Sequence, residues 1–364
     1  YIDCLGGYGL LSLGWSHPKV VAAVQGQLKR IPMPSLELIN PARGVLAKLM
    51  AQVMPGDIQY SFFAASGTEA VEGAIKLAKL YTKKSGFIVA VKGFHGKSMG
   101  SLSMLGKAEF KKPLMPLYGG PIYFVPFGDA DAVEQQLEIC KTVGVDIAAV
   151  MMEPIQGEGG VVCPDPGYLE GVRALCSEKG VALIFDEVQV GMGRTGKLFA
   201  HEHYGVTPDI MTLAKALGNG LPIGAMLSTE ELAQAFGPGS HATTFGGTPL
   251  ATAVSKAVLK SLLDDGWVTH AENMGDYFKA GLDRLSEKHE CIKDIRGLGL
   301  IIGVELDVPG APVVEACRQK GFLIIGAQER VLRFVPPLIV EKEEIDLLLE
   351  ALDNIFNDME MKRG

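Results

Sequence analysis

The 364-residue chain lacks most of the features that would assign it to a membrane, a nucleic acid or a metal. No apolar run reaches the roughly 18 residues of a membrane span. There is no long basic run, and 34 Lys and Arg against 42 Asp and Glu leave a net charge of −8, which argues against nucleic acid as a partner. The six cysteines (Cys4, Cys140, Cys163, Cys176, Cys291, Cys317) include no CxxC pair, and scattered reduced thiols point to a cytoplasmic protein. The seven histidines form no metal-ligand constellation; His201 and His203 are the one close pair, lack a nearby third ligand and read as a solvated surface pair. No GxGxxG follows the first candidate strand, which sets a nicotinamide dehydrogenase aside. There is no internal repeat and no low-complexity linker. No secretory leader is visible, and the chain opens at Tyr1 rather than Met, which leaves room for a segment ahead of it.

The sequence does contain a hydrophobic fraction of 48%, enough for a large core in two domains. Strands are predicted at 60–63, 87–91, 147–152, 181–185, 210–213 and 224–227. Helical periodicity fits 69–83, 168–179 and 249–263. Strands alternating with helices predict an α/β fold with a mostly parallel central sheet covered on both faces. After about residue 265 the pattern changes to a long helix (267–289), strands near 299–306 and 331–334, and a final helix from Glu341. This predicts a large domain over 31–264 and a smaller α+β domain made of 1–30 and 265–364, with a strand contributed by 1–13.

Several motifs sit at strand ends, each with a plainer alternative. Ser66-Gly67-Thr68-Glu69 opens a helix, where N–H groups, hydroxyls and the dipole can cradle a phosphate; the alternative is a capping box from Ser66 to Glu69. In Phe94-His95-Gly96-Lys97 the aromatic can stack on a ring whose other face meets Val188, or simply fill core. Glu153-Pro154-Ile155-Gln156-Gly157-Glu158 leaves an apolar strand at the end where open α/β sheets place their sites, the alternative being a solvated turn. Asp186 ends the apolar run Val181–Phe185, where an unpaired carboxylate is expensive; a cationic ring nitrogen would satisfy it, and so would a structural pair with Arg194. Gln189 is placed to reach a phenolic oxygen on the same ring. Thr243-Thr244-Phe245-Gly246-Gly247 can donate to phosphate or cap the next helix. Arg333, inside an apolar strand, suggests a bidentate carboxylate partner, or an edge residue reaching solvent.

Lys215 lies in Thr212-Leu213-Ala214-Lys215-Ala216-Leu217-Gly218. Burial there favours a neutral amine, which can form a Schiff base with an aldehyde. Asp186 supplies the complementary part by holding a pyridinium nitrogen protonated. A lysine and an aspartate in these settings are what pyridoxal phosphate chemistry needs.

Taken together, and over nearly the whole chain, these segments resemble a class III aminotransferase of the fold type I pyridoxal phosphate enzymes. The resemblance implies Lys215 as the Schiff-base lysine and Asp186 as the partner of the pyridine nitrogen. It implies Gln189 at the phenolic oxygen, Val188 and Phe94 on the two ring faces, and Ser66, Gly67 and Thr68 at the phosphate, with His95 and Glu153 also at the cofactor. Thr244 would reach the phosphate in a neighbouring subunit, so the active site implies a homodimer, or a dimer of dimers. Glu158 and Arg333 match a glutamate–arginine pair in which the arginine takes the acceptor's carboxylate and the glutamate neutralises it when an amine is bound.

Within the family, Ile2–Gly9, Tyr60–Phe63, Phe94–Ser98, Lys112–Leu117 and Val125–Gly128 resemble the putrescine (diamine) branch. Acetylornithine and ornithine enzymes usually carry arginine at Lys97; a lysine is a weaker, monodentate carboxylate ligand. The expected reaction is transamination of a diamine to an aminoaldehyde, with 2-oxoglutarate or pyruvate as acceptor, and Lys97 as a substrate contact. An acetylornithine or ornithine aminotransferase is the runner-up. A catalytically silent scaffold would be free to lose Lys215 or Asp186, and both are present. The sequence departs from the family at Thr248, where Asn is common, and at Ala65, where Asn precedes Ser-Gly. Gly218–Pro222 is a residue shorter than in the putrescine branch, which also carries a longer N-terminal segment.

Overall fold

The computed structural model describes residues 1–31, 33, 38–117 and 120–361. A short strand, β1 (Ile2–Asp3), opens the chain. Then β2 (Ile58–Ala64), β3 (Gly86–Ala90), β4 (Ile122–Val125), β5 (Ile147–Met152), β6 (Ala182–Asp186), β7 (Ile210–Leu213) and β8 (Gly224–Thr229) form one sheet in the order β2-β8-β7-β6-β5-β3-β4. The neighbours from β7 to β4 are parallel, and β8 alone runs against the others.

Every residue of β3, β5 and β6 is buried, the pattern of strands covered on both faces. Side chains alternate between two clusters. Phe87, Val89, Met151 and Ile184 pack with Val71, Ala74 and Leu77 of the helix Gly67–Thr82. Ile88, Val150, Leu183 and Phe185 pack with Leu169 and Val172 of the helix Tyr168–Lys179. The period of two puts Asp186 on the same face as Ile184, the face covered by the helix that Ser66 caps.

Downstream, β9 (Ile292–Leu298), β10 (Ile301–Leu306), β11 (Phe322–Leu323), β12 (Ile325–Gly326) and β13 (Val331–Phe334) follow. An antiparallel sheet runs β12-β13-β10-β9, while β1 pairs in parallel with β11. The N-terminal strand is therefore shorter than 1–13 suggests and joins β11, not the four-stranded sheet. Arg333 is not an edge residue reaching solvent: β13 lies between β12 and β10, and Arg333 is 0% exposed. His201 and His203 are not a solvated surface pair. His201 is buried with its Nδ1 2.8 Å from Glu187 Oε1, and His203 Nε2 lies 3.0 Å from Thr195 Oγ1. Among the described residues no helix is long and apolar enough to cross a membrane.

Candidate active site

The carboxyl ends of β2, β3, β5, β6 and β7 open onto one cavity of about 340 Å³. That lies within the roughly 300–1,000 Å³ usual for small-molecule sites. Ser66, Gly67 and Thr68 enter it after β2, Phe94 and His95 after β3, Glu153 and Glu158 after β5, Asp186, Val188 and Gln189 after β6, and Lys215 after β7. Leu10 closes it from the N-terminal segment, and Leu221 and Pro222 from the loop before β8.

Three donors converge on the Asp186 carboxylate. His95 Nδ1 lies 2.9 Å from Oδ2, while Thr212 Oγ1 at 3.0 Å and Val188 N at 3.1 Å donate to Oδ1. Arg194 is not its partner: this buried guanidinium donates to the carbonyls of Leu300 and Pro336, and burial pulls its pKa down to about 9. Glu153 sits behind the pair and accepts from Phe94 N and Gly157 N, each at 3.0 Å. Burial pushes Glu153 up to about 7, although His95 and these N–H groups oppose it. For His95, burial favours the neutral ring, but the hydrogen bond and charge of Asp186, with Glu153 beyond, outweigh it and raise the pKa. His95 Nε2 has no hydrogen-bond partner among the described residues.

Lys215 begins the turn Lys215–Leu217 after β7 and has φ +41°, the left-handed region that a side chain rarely adopts. It is half-buried and lines the cavity. Burial first, then the charge of Arg333, holds its amine below the usual lysine range. Asn219, just past that turn, accepts from Leu13 N at 2.8 Å and donates to Gly14 O at 3.2 Å, fixing the segment that carries Leu10.

At the β2 end the capping reading and the cradle coexist. Ser66 Oγ accepts from Glu69 N at 3.3 Å, and Glu69 Oε2 accepts from Ala65 N at 2.9 Å. The intrahelical ladder starts with Ala70 N to Ser66 O, so the N–H groups of Gly67 and Thr68 precede it. A Cβ on Gly67 would lie 3.0 Å from Val188 Cγ1 and 3.3 Å from Ala214 Cβ, both on the cavity wall. The Thr68 hydroxyl is tied to Ser98 at 2.7 Å and Ser101 at 2.6 Å.

Arg333 approaches from β13. Its Nη2 is 2.8 Å from Glu158 Oε1, off the N–H direction, so the contact is one of charge; its Nη1 donates to Gln189 Oε1 at 3.2 Å. Glu158 and Gln189 line the cavity and Arg333 lies beneath them. Two predicted site residues stand apart. Lys97 is exposed, with Nζ 4.0 Å from the Phe110 ring centroid, and Thr244 is exposed; neither lines this cavity. Thr212, Leu10 and Asn219 carry no role in the sequence reading. Thr212 had a signal, a hydroxyl ending an apolar strand; Leu10 had none.

A family model described as aminotransferase class-III matches residues 1–356. The chain belongs to the class-III aminotransferases. It is similar to the putrescine aminotransferase of Pectobacterium atrosepticum, with 45% identity covering 99% of this chain and 79% of that protein. It is similar in structure to the ornithine aminotransferase of Toxoplasma gondii ME49, with 33% identity, a TM-score of 0.93, and coverage of 100% of this chain and 87% of that one. The acetylornithine aminotransferase of Elizabethkingia anophelis is similar at 30% identity and a TM-score of 0.85, over 98% and 89%.

Class-III aminotransferases use pyridoxal phosphate, and the cavity fits that group. It offers an amine for an aldehyde at Lys215, a carboxylate for a ring nitrogen at Asp186, and the N–H groups of Gly67 and Thr68, ahead of the helix's own ladder, for a phosphate. Phe94 and Val188 would bound the ring, and Gly67 leaves the room that a Cβ would fill.

Proposed function

We propose that this class-III aminotransferase moves an amino group from a diamine such as putrescine or cadaverine to 2-oxoglutarate or pyruvate, releasing an aminoaldehyde. The observation that carries the diamine reading is the 45% identity to the putrescine aminotransferase of Pectobacterium atrosepticum.

Bound pyridoxal phosphate supplies an aldehyde and an electron-withdrawing ring. Asp186, held by His95, Thr212 and Val188 N, would hold the ring nitrogen protonated. Lys215 Nζ, kept toward its neutral form, would hold the aldehyde and, once free, would take the proton from the donor carbon. Gln189, on the cavity wall, would meet the phenolic oxygen. With a diamine present Glu158 neutralises Arg333; for the acceptor it swings away and Arg333 takes the carboxylate. Lys97 would act at the entrance. Thr244 would serve a partner's phosphate in a homodimer, for which the exposed Ile39 (95%) and Phe245 (61%) provide apolar surface. The thiols of Cys4, Cys140, Cys163, Cys176 and Cys317 form no disulfides, which favours the cytoplasm. The division into 31–264 and 1–30 with 265–364 belongs to the same proposal, with limited proteolysis as its check.

An absorbance scan of the holoenzyme tests the reading. Putrescine should bleach the band of the lysine-bound cofactor, and 2-oxoglutarate should restore it. If putrescine leaves the band intact while acetylornithine or ornithine bleaches it, the second reading, favoured by the two structural relatives, replaces the first.

A further inference from the structure

Glu158 sits at the tip of a short hairpin. Gln156 and Val162 close its base through two backbone hydrogen bonds, Gln156 N to Val162 O at 3.0 Å and Val162 N to Gln156 O at 2.9 Å. Val161, buried and β-branched, has φ +54°, a conformation that persists only where its surroundings enforce it. It packs with Ile155, Val190, Ile301 and Val335. Gly160, at φ +114°, brings the tip close to β9: a Cβ there would lie 3.2 Å from Arg296 Nη2. The tip is also grasped from outside. Arg296 Nε donates to Gly160 O at 2.9 Å, and Gln328 Nε2 donates to Glu158 O at 2.6 Å. Arg296 is itself set by Asp294 and Glu305, each at 2.6 Å from Nη1.

Gln328 lies in the turn between β12 and β13, and β13 carries Arg333. One turn therefore anchors both the cation and the backbone of its cover. We infer that Gln328 is a positioning residue that sets how firmly Glu158 covers Arg333, and so sets the balance between amine donor and dicarboxylate acceptor. The inference rests on the proposed roles of Glu158 and Arg333. A backbone already held at Glu158 needs no further ordering when the side chain closes over Arg333, so the anchor favours the covered state. Removing it uncovers Arg333, which helps a carboxylate and leaves a bare cation facing an amine.

The test replaces Gln328 by methionine, which keeps the length and removes the donor. Gln328 is exposed, so folding is not at stake. Binding is measured in the holoenzyme for glutarate, a dicarboxylate that cannot react, by its inhibition of the acceptor half-reaction. The concentration dependence of bleaching gives the constant for putrescine. The Gln328→Met variant should bind glutarate about threefold more tightly and putrescine about threefold more weakly, the scale of one exposed hydrogen bond. Constants that stay put, or that move in the same direction, overturn the inference. Glu158→Gln is measured alongside. If it shifts both constants in opposite directions while Gln328→Met shifts neither, only the role of Gln328 falls. If Glu158→Gln shifts neither, the covering role of Glu158 falls with it.

Discussion

His95 Nδ1 lies 2.9 Å from Asp186 Oδ2, and both side chains are buried, one in the loop after β3 and the other at the end of β6, strands two places apart in the sheet. The raised pKa of His95 means that its stabilising contribution is fully present below pH 6.5 and fades as pH rises through the folded value. Glu153 acts in the same direction. Its folded pKa of about 7 exceeds the unfolded value, so the fold holds an extra proton between them and loses stability as pH climbs through that window. Glu153→Gln should flatten the decline, gaining at most about 3 kcal/mol relative to the parent between pH 5 and pH 8. Urea unfolding of the apoprotein across that range checks it; parallel curves for parent and variant would refute it.

Lys215 works in the opposite sense. Its folded pKa is depressed, so the unfolded chain binds more protons and the parent gains stability as pH rises through the window up to the ordinary lysine value. Lys215→Met removes the cost of burying that amine. The apoprotein should melt at a higher temperature near neutral pH, while turnover drops by at least about 100-fold, the low end of what a positioned base contributes. Melting curves and steady-state rates provide the check.

Arg333→Ala should separate the two halves of the reaction. Loss of a charge-assisted contact worth about 1.5–3 kcal/mol raises the acceptor's half-saturation by roughly 10- to 150-fold. Bleaching by putrescine should change only a few-fold, because Arg333 is covered in that half-reaction. Equal losses in both halves would contradict the assignment.

Gly67→Ala puts a methyl against Val188 and Ala214 on the cavity wall. Helix start and fold should tolerate it, so unfolding in the absence of cofactor should be near that of the parent. Retention of pyridoxal phosphate during dialysis should fall. Unchanged retention would place the cofactor elsewhere.

Much of this layout is legible in the chain as written. Ile147–Met152 and Ile210–Leu213 are wholly buried, and such strands appear as unbroken apolar runs. The strand Ile122–Val125 escapes because β4 is an edge and exposes part of Tyr123 and Phe124. The helices Pro18–Leu28 and Pro41–Val53 escape because each buries only one or two residues. Asp186 and Lys215 stand out because each polar group interrupts an apolar stretch. Their partners do not. Thr212 adjoins Asp186, and Asn219 meets Leu13, only because the fold aligns segments far apart in the chain. Gln328 is one more polar residue in a turn until the hairpin tip is seen beneath it.

Ile2 aligns with Phe322, and Val335 N donates to Cys4 O at 2.8 Å. On the ribosome β1 must therefore wait for β11 to be made before it finds its place. The seven-stranded sheet can assemble during that wait, since its strands all lie between Ile58 and Thr229. Leu10 and Arg333 arrive at the cavity last. A nascent chain already equipped with Lys215 would thus lack both a closed wall and a carboxylate anchor until β13 had been made.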